Sequence, residues 1–224
     1  MKKRTFGREG SLGIILIFCI ASTGFINPRF VTGDGTRDLL SATAIVALLA
    51  IGMAPVMIMR HIDLSIASTV GFSAWLVADF CAKNPSFTWW QCFVIGGAVG
   101  IAVGVINGLL VAGLRLPSLV VTLGTLYIVR GGVYVVSNSV DYNAQEMPPS
   151  LLSLGQKTFG GLLPFPFLMV IILMVIVAWY MKYTKAGRDC YAIGSNPPAA
   201  DLVGLKVFRR TFLAYIFCGF IAGI

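Results

Sequence analysis

A chain of 224 residues that is 57% hydrophobic and only 12% charged exposes more apolar surface than a soluble domain of this length can bury. Together with a mean hydropathy of +0.86, this excludes an ordinary soluble enzyme or binding domain and predicts a membrane protein. The apolar runs are continuous, as at 167–181, whereas a membrane β-barrel would alternate polar and apolar residues. The predicted fold class is therefore an all-α, multi-spanning membrane protein.

Seven apolar segments come near the ~20 residues that a helix needs to cross a bilayer. They are predicted at about 11–26, 42–59, 66–82, 92–114, 117–137, 164–181 and 211–224. The last segment is short, because a helix over 211–224 covers roughly 21 Å of a ~30 Å hydrocarbon core. The sequence thus predicts one transmembrane domain over 1–224 that is incomplete at its C-terminus.

The net charge of +8 is distributed unevenly between the two sides of the predicted membrane. With a cytoplasmic N-terminus, the inner loops hold Lys2, Lys3, Arg4, Arg8, Arg60, Arg115, Lys182, Lys185, Arg188, Lys206, Arg209 and Arg210. The outer loops hold only Arg29, Arg37, Lys83 and Lys157. This asymmetry follows the positive-inside rule and predicts that orientation. No long basic amphipathic segment is present, so the bilayer rather than nucleic acid is the predicted partner.

A polar segment, 60–65, interrupts the apolar block formed by the second and third spans. Asp63 is predicted to cap the N-terminus of the third span with help from Ser65, since a helix dipole favours an anion there. The alternative is that this break opens a substrate path, as discontinuous helices do in transporters. The two roles are compatible.

The fourth span carries a stripe of small residues, which are Gly96, Gly100, Gly104, Gly108 and Ala112. Such a stripe lies along one helix face and predicts close packing against another helix. Asn107 lies beside the stripe and is predicted to make an interhelical hydrogen bond, with substrate contact as the alternative.

Three polar side chains lie in the fifth span. Thr122 and Thr125 either bond their own helix backbone or line a translocation pathway. Arg130 is near the outer end, where it either extends towards the interface or faces a cavity and offers forked hydrogen bonds.

The longest inner loop, 182–210, contains the pattern of a short capped helix that begins at Pro197 and stops before Gly204. A soluble partner is expected to pack against it. The five cysteines include no C-x-x-C pair and the chain has one His, so no metal site is predicted. Cys81 and Cys92 flank the same outer loop, and their pairing stays open. No catalytic constellation or phosphate-binding loop is visible, so an enzyme is not predicted.

Four blocks resemble, in order, the permeases of ribose-type bacterial ABC sugar importers. The blocks are 57–68 (MIMRHIDLSIAS), 106–111 (INGLLV), 117–131 (PSLVVTLGTLYIVRG) and 186–200 (AGRDCYAIGSNPPAA). The family chain is longer, with about ten helices, and Arg60-His61 replaces its usual Gly-Gly pair. With an Arg at that place, this chain resembles the family members that transport autoinducer-2 or rhamnose. The resemblance therefore favours these two as substrates among the ribose-like sugars.

The resemblance implies an inner-membrane permease that dimerises with an identical or a related subunit. It also implies two ATP-binding subunits below and a periplasmic sugar-binding protein above, with ATP used by the partner and no cofactor bound by this chain. The residues implied to couple to the ATPase are Gly187, Arg188, Tyr191, Ala199, Ala200 and Gly204. Two alternatives to a working importer permease stay open: a non-functional remnant of such a permease, and an ion-coupled secondary transporter.

Overall fold

A computed structural model describes residues 8–84, 86–138, 140–143 and 146–224 of the chain. The α-helices are α1 (Arg8–Ile26), α2 (Gly33–Ile58), α3 (Ile66–Lys83), α4 (Trp89–Gly108), α5 (Ser118–Ser137), α6 (Pro149–Gln156), α7 (Phe165–Tyr183), α8 (Lys185–Ser195), α9 (Pro197–Leu202) and α10 (Val207–Gly223). A 3-10 turn at Pro28–Val31 precedes α2, and a π-helical turn at Leu109–Gly113 extends α4. Strands β1 (Thr158–Phe159) and β2 (Leu163–Pro164) pair as a small antiparallel hairpin. The all-α prediction is confirmed. Lys2, Lys3 and Arg4, which the charge pattern assigns to the cytoplasm, lie outside the described residues.

Each of the seven predicted spans lies on a helix, and two regions contain more helix than the sequence analysis described. The helix of the second span begins at Gly33 rather than near residue 42, because the Thr32 hydroxyl accepts a hydrogen bond from the Gly35 N–H and starts the helix early. The loop at 182–210 contains α8 in addition to the predicted short helix. The Thr184 hydroxyl caps α8 by accepting from the Gly187 N–H at 3.0 Å.

Among the described residues, four helices are long and apolar enough to cross a membrane unaided. They are Gly33–Ile58, Trp89–Gly113, Ser118–Ser137 and Phe165–Tyr183. The apolar part of α1 is shorter, at Gly10–Ile26. Two further predicted spans, α3 and α10, fall outside this set: α10 has 17 residues, and the 18 residues of α3 include the charged Asp79 and Lys83, which lower its hydropathy. The membrane crossings of these three helices stay predictions.

The centre of the bundle is the contact between α4 and α10. A Cβ added to Gly96 would overlap the Gly223 carbonyl oxygen, and one added to Gly100 would overlap that of Gly219. One added to Gly104 would overlap the carbonyl of Tyr215. The predicted glycine stripe therefore packs backbone to backbone, and α10 supplies small residues of its own to complete the contact.

Helices α8 and α9, in the loop that the charge pattern assigns to the cytoplasm, pack against one end of the bundle. Gly194 lies against the carbonyl of Ile58, so that α8 touches the end of α2 where a side chain would not fit. A compact apolar core forms at this junction, and it includes Met59, Ile193 and Tyr215. The core thus sits directly beneath the break between α2 and α3, which fixes the position of that break.

Candidate functional site

The segment 59–65 connects α2 to α3 without helical structure. Pro55, within the last turn of α2, has no N–H to continue the helical hydrogen bonding. Arg60 then takes a left-handed backbone conformation with a φ of 65°, which cannot continue the helix. The break is therefore encoded locally, by one proline and one left-handed residue.

Asp63 organises this segment rather than the first turn of α3. Its Oδ1 accepts a hydrogen bond from the Ser65 N–H at 3.0 Å and from the Ser65 hydroxyl at 2.6 Å. Ser65 precedes the helix, and its own side chain makes no capping bond to α3. The direct cap predicted for Asp63 is thus replaced by a local turn, because a short carboxylate reaches the amide two residues ahead more readily than the helix.

Asn107 connects three elements with one side chain. Its Nδ2 donates to the Ser65 hydroxyl at 2.8 Å and to the Asp63 Oδ1 at 3.5 Å. Its Oδ1 accepts from the Thr125 hydroxyl at 2.7 Å. Asn107 is 0% exposed, so the predicted interhelical hydrogen bond is present in a fully buried position between α4, α5 and the break.

Two further helices reach the backbone of Ile62 in the break. The Thr122 hydroxyl donates to the Ile62 carbonyl at 3.4 Å and to the Ser118 carbonyl of its own helix at 2.8 Å. The Ser118 hydroxyl accepts from the Ile62 N–H at 3.3 Å. The Tyr215 hydroxyl of α10 donates to the Ile62 carbonyl at 3.2 Å.

We call these side chains the polar cluster: Asp63, Ser65, Asn107, Ser118, Thr122, Thr125 and Tyr215. Sequence reasoning missed two of them, Ser118 and Tyr215. The signal for Tyr215 was a hydroxyl within the apolar stretch 212–224, since a buried tyrosine generally finds a partner. The described part of the chain leaves no polar side-chain atom of this cluster buried without a partner.

Arg130 does not join the polar cluster. It is exposed on α5, beyond Thr125 towards the C-terminal end of that helix. The structure thus brings together five of the six side chains considered for a translocation pathway and leaves Arg130 apart. Within the described residues, no group of three or more His, Cys, Asp or Glu side chains is placed to hold a metal ion.

Helix α8 is held to the bundle by charged contacts. Arg210 on α10 donates to the Asp189 Oδ2 on α8, from Nη2 at 2.7 Å and from Nε at 2.9 Å. Arg60 donates from Nη2 to the Ser195 carbonyl at 3.0 Å, which ties α8 to the helix break. Burial raises the pKa of the adjacent Cys190 thiol, so this cysteine stays protonated.

The residues expected to contact an ATPase divide into two groups. Gly187 and Ala200 are buried and Ala199 is half-buried, whereas Arg188, Tyr191 and Gly204 are exposed. Gly204 has a φ of +76° and closes α9, as the sequence predicted.

The most prominent apolar side chains of α9 were not predicted. Leu202 is 89% exposed and Val203 is 73% exposed, next to Ala200 at 3%. Because Ala200 faces the bundle, Leu202 and Val203 form the exposed surface at the C-terminal end of α9. We call this end the tip of α9, and it is apolar.

A family model described as the permease component of the branched-chain amino acid transport system matches residues 35–224. The chain therefore belongs to this permease family, whose members are membrane transport subunits rather than enzymes. It is 34% identical over 222 residues to the autoinducer 2 import system permease protein LsrC of Enterobacter sp. (strain 638), covering 99% of this chain and 63% of that protein. It is 30% identical over 214 residues to the L-arabinose ABC transporter permease protein AraH of Azospirillum brasilense, covering 94% of this chain and 61% of that protein.

The LsrC protein of Yersinia pestis (strain Pestoides F) is 30% identical over 217 residues. That match covers 97% of this chain and 60% of the relative. The chain thus spans about three fifths of the length of the curated relatives that it matches. No solved structure matches the chain.

Proposed function

We propose that this chain is the membrane-spanning permease subunit of an ATP-driven importer that moves a small sugar across the bacterial inner membrane. The observation that carries the proposal is the polar cluster at a helix break, inside the apolar bundle of a chain that belongs to a permease family. Buried polar groups at membrane depth are costly and are typical of substrate pathways. Autoinducer-2 and L-arabinose, named by the relatives, define the substrate class to test first, together with rhamnose and ribose.

In this proposal the polar cluster is the closed gate of the pathway. Segment 59–65 is held to α4, α5 and α10 by side-chain hydrogen bonds, and the partners of those bonds are hydroxyl and amide groups. Sugar hydroxyls form the same kinds of bond. A shift of α5 or α10 against the break would free Asn107, Thr122 and Thr125 to exchange protein partners for substrate.

The partners follow from the same proposal. ATP is hydrolysed on separate subunits that dock against the cytoplasmic helices α8 and α9, and a sugar-binding protein delivers substrate on the opposite side. The exposed apolar tip formed by Leu202 and Val203, with Tyr191, supplies the docking contact. The N-terminus is cytoplasmic, as the charge distribution predicts, and a second permease subunit completes the pathway.

The test is uptake of radiolabelled autoinducer-2, arabinose, rhamnose and ribose by cells that lack the chromosomal gene. We expect a plasmid copy of the full natural gene to restore uptake of one sugar only when the cognate ATP-binding subunit is present. Uptake that persists without the ATPase, or that an ion gradient drives in proteoliposomes of the purified chain, would establish the secondary transporter instead. Absence of uptake for every sugar, with normal amounts of membrane-inserted chain, would support the non-functional remnant.

A further inference from the structure

Helices α3 and α4 form an antiparallel hairpin with a cysteine on each arm near the connecting loop. Cys81 lies in the last turn of α3 and Cys92 in the first turn of α4, and their sulfur atoms are 3.4 Å apart. Cys81 is 2% exposed and Cys92 is 5% exposed. The sequence left the pairing of Cys81 with Cys92 open, and the folded chain places their sulfur atoms close together.

The approach of the two sulfurs is set by the hairpin rather than by loose side chains. At the opposite end of the same hairpin, the Asn107 amide donates to the Ser65 hydroxyl at 2.8 Å, which fixes the register of the two helices. At the loop end, Thr88 starts α4 with a capping box, and its N–H donates to the Gln91 Oε1 at 2.8 Å. Both cysteines thus stand on regular helix: the cap sets the start of α4, and the bond from Asn107 to Ser65 joins the two arms at the opposite end.

We propose that Cys81 and Cys92 form a disulfide that joins α3 to α4 at the outer end of the hairpin. The proposal rests on the orientation given under the proposed function, in which this loop faces the oxidising side of the membrane. The sulfurs need to move by roughly 1.4 Å to reach the ~2.05 Å of a disulfide bond. Once formed, the bond is shielded from reductants by the burial of both sulfurs.

The chemistry is an exchange with a periplasmic thiol–disulfide oxidase. The thiolate of one cysteine attacks the oxidase disulfide and forms a mixed disulfide, and the thiolate of the other then displaces the oxidase sulfur. The two cysteines lose two electrons and two protons, and the oxidase leaves as a dithiol. This exchange takes place while the hairpin forms, before the rest of the bundle buries the sulfurs.

The bond is detectable directly in the natural chain. Lys83 lies between the two cysteines, so trypsin separates peptide 61–83, which contains Cys81, from peptide 84–115, which contains Cys92. In acid-quenched cells whose free thiols are alkylated before digestion, we expect these two peptides to be recovered as one linked species that dithiothreitol separates. Recovery of both peptides as singly alkylated species without reductant would overturn the proposal.

Thiol counting with a mass-tagged maleimide gives a second measurement. We expect three of the five cysteines to react in the denatured, unreduced full chain, and all five after reduction. Cys81→Ser and Cys92→Ser should each raise the unreduced count to four. The matched control Cys190→Ser, on a cytoplasmic helix, should lower it to two. Five reactive thiols in the natural chain would contradict the disulfide.

The side of the membrane that the α3–α4 loop faces is measured separately, so that an error in the orientation can be distinguished from an error in the disulfide. Ser86→Cys, in the exposed loop of the hairpin, is introduced into a variant whose five native cysteines are replaced by serine. A membrane-impermeant maleimide should label it in intact spheroplasts. Labelling together with free Cys81 and Cys92 would overturn the disulfide and leave the orientation intact. Labelling only after lysis would overturn the orientation, whereas the thiol count alone decides the disulfide.

Discussion

The polar cluster and the helix pair α8–α9 satisfy their polar groups in opposite ways. In the cluster, side chains from α4, α5 and α10 bond to the segment 59–65, and the partners are 42 to 153 residues apart along the chain. In α8–α9, the Thr184 and Asn196 side chains cap their own helices, each accepting from an amide three residues ahead. The polar cluster thus depends on tertiary contacts, and the α8–α9 pair is built largely from local ones.

The difference follows from the surrounding solvent. A polar group inside an apolar bundle cannot form a hydrogen bond to water, so it must form one to another part of the protein. A helix at the membrane surface exchanges its end groups with water or with its own cap. Substitutions in the polar cluster should therefore affect stability most, and those on the tip of α9 should affect stability least.

The largest loss of stability is expected for Asn107→Leu. This change removes the amide that bonds Ser65 and Thr125 and leaves the buried Asp63 carboxylate with one donor fewer. We expect a loss of about 3 kcal/mol in unfolding free energy. In a detergent-solubilised chain of this size, that corresponds to a melting temperature lower by roughly 6–12 °C. The control is Asn143→Leu, since that residue is exposed. Equal melting temperatures for the two variants would contradict the role given to Asn107.

A smaller effect is expected for Asp189→Asn, which weakens the contact between α8 and α10. Both partners are partly buried, with the Asp189 side chain 11% exposed and that of Arg210 19% exposed. The loss should be about 2 kcal/mol, the range for a hydrogen bond to a charged group. Chemical denaturation followed by tryptophan fluorescence measures it.

Asp201→Asn is the matched control for that change. The Asp201 Oδ2 lies 3.7 Å from the Arg115 Nη2, and both side chains are more than half exposed. An exposed pair of this kind should contribute less than about 0.5 kcal/mol. Equal losses of stability for Asp189→Asn and Asp201→Asn would contradict burial as the reason that the Asp189–Arg210 pair contributes more.

Thr122→Val should cost about 1 kcal/mol. The valine keeps the volume of the side chain but removes the hydroxyl bonded to Ile62, whose carbonyl retains the Tyr215 hydroxyl as a donor. The remaining bond explains why the effect should be smaller than at Asn107. Thr43→Val, at an exposed position on α2, is the control and should melt with the natural chain. A loss as large as that of Asn107→Leu would mean that Ile62 depends on Thr122 alone.

The smallest effect on stability is expected for Leu202→Asp, because Leu202 is 89% exposed. The unfolding free energy should change by less than about 0.5 kcal/mol. Uptake through the assembled importer should nevertheless fall at least tenfold if the tip of α9 docks against the ATPase. Ala200→Leu provides the contrast, since its buried position predicts destabilisation of the chain itself. Unchanged uptake with Leu202→Asp would move the docking contact elsewhere.

The sequence by itself determined the features that depend on local composition and period. Apolar runs indicated the helices, the spacing of Gly96, Gly100 and Gly104 indicated a packed face, and the pattern from Pro197 to Gly204 indicated a capped helix. Each of these follows from contacts within one segment or from the solvent around it.

The tertiary structure decided which segments meet. It placed α10 against the glycine stripe, joined Asn107 to Ser65 and Thr125, and brought the Tyr215 hydroxyl to the Ile62 carbonyl. It also turned Ala200 inward and left Leu202 and Val203 exposed. A buried polar group is satisfied by whichever donor the packing of distant helices brings within about 3 Å, and spacing along the chain does not specify that donor.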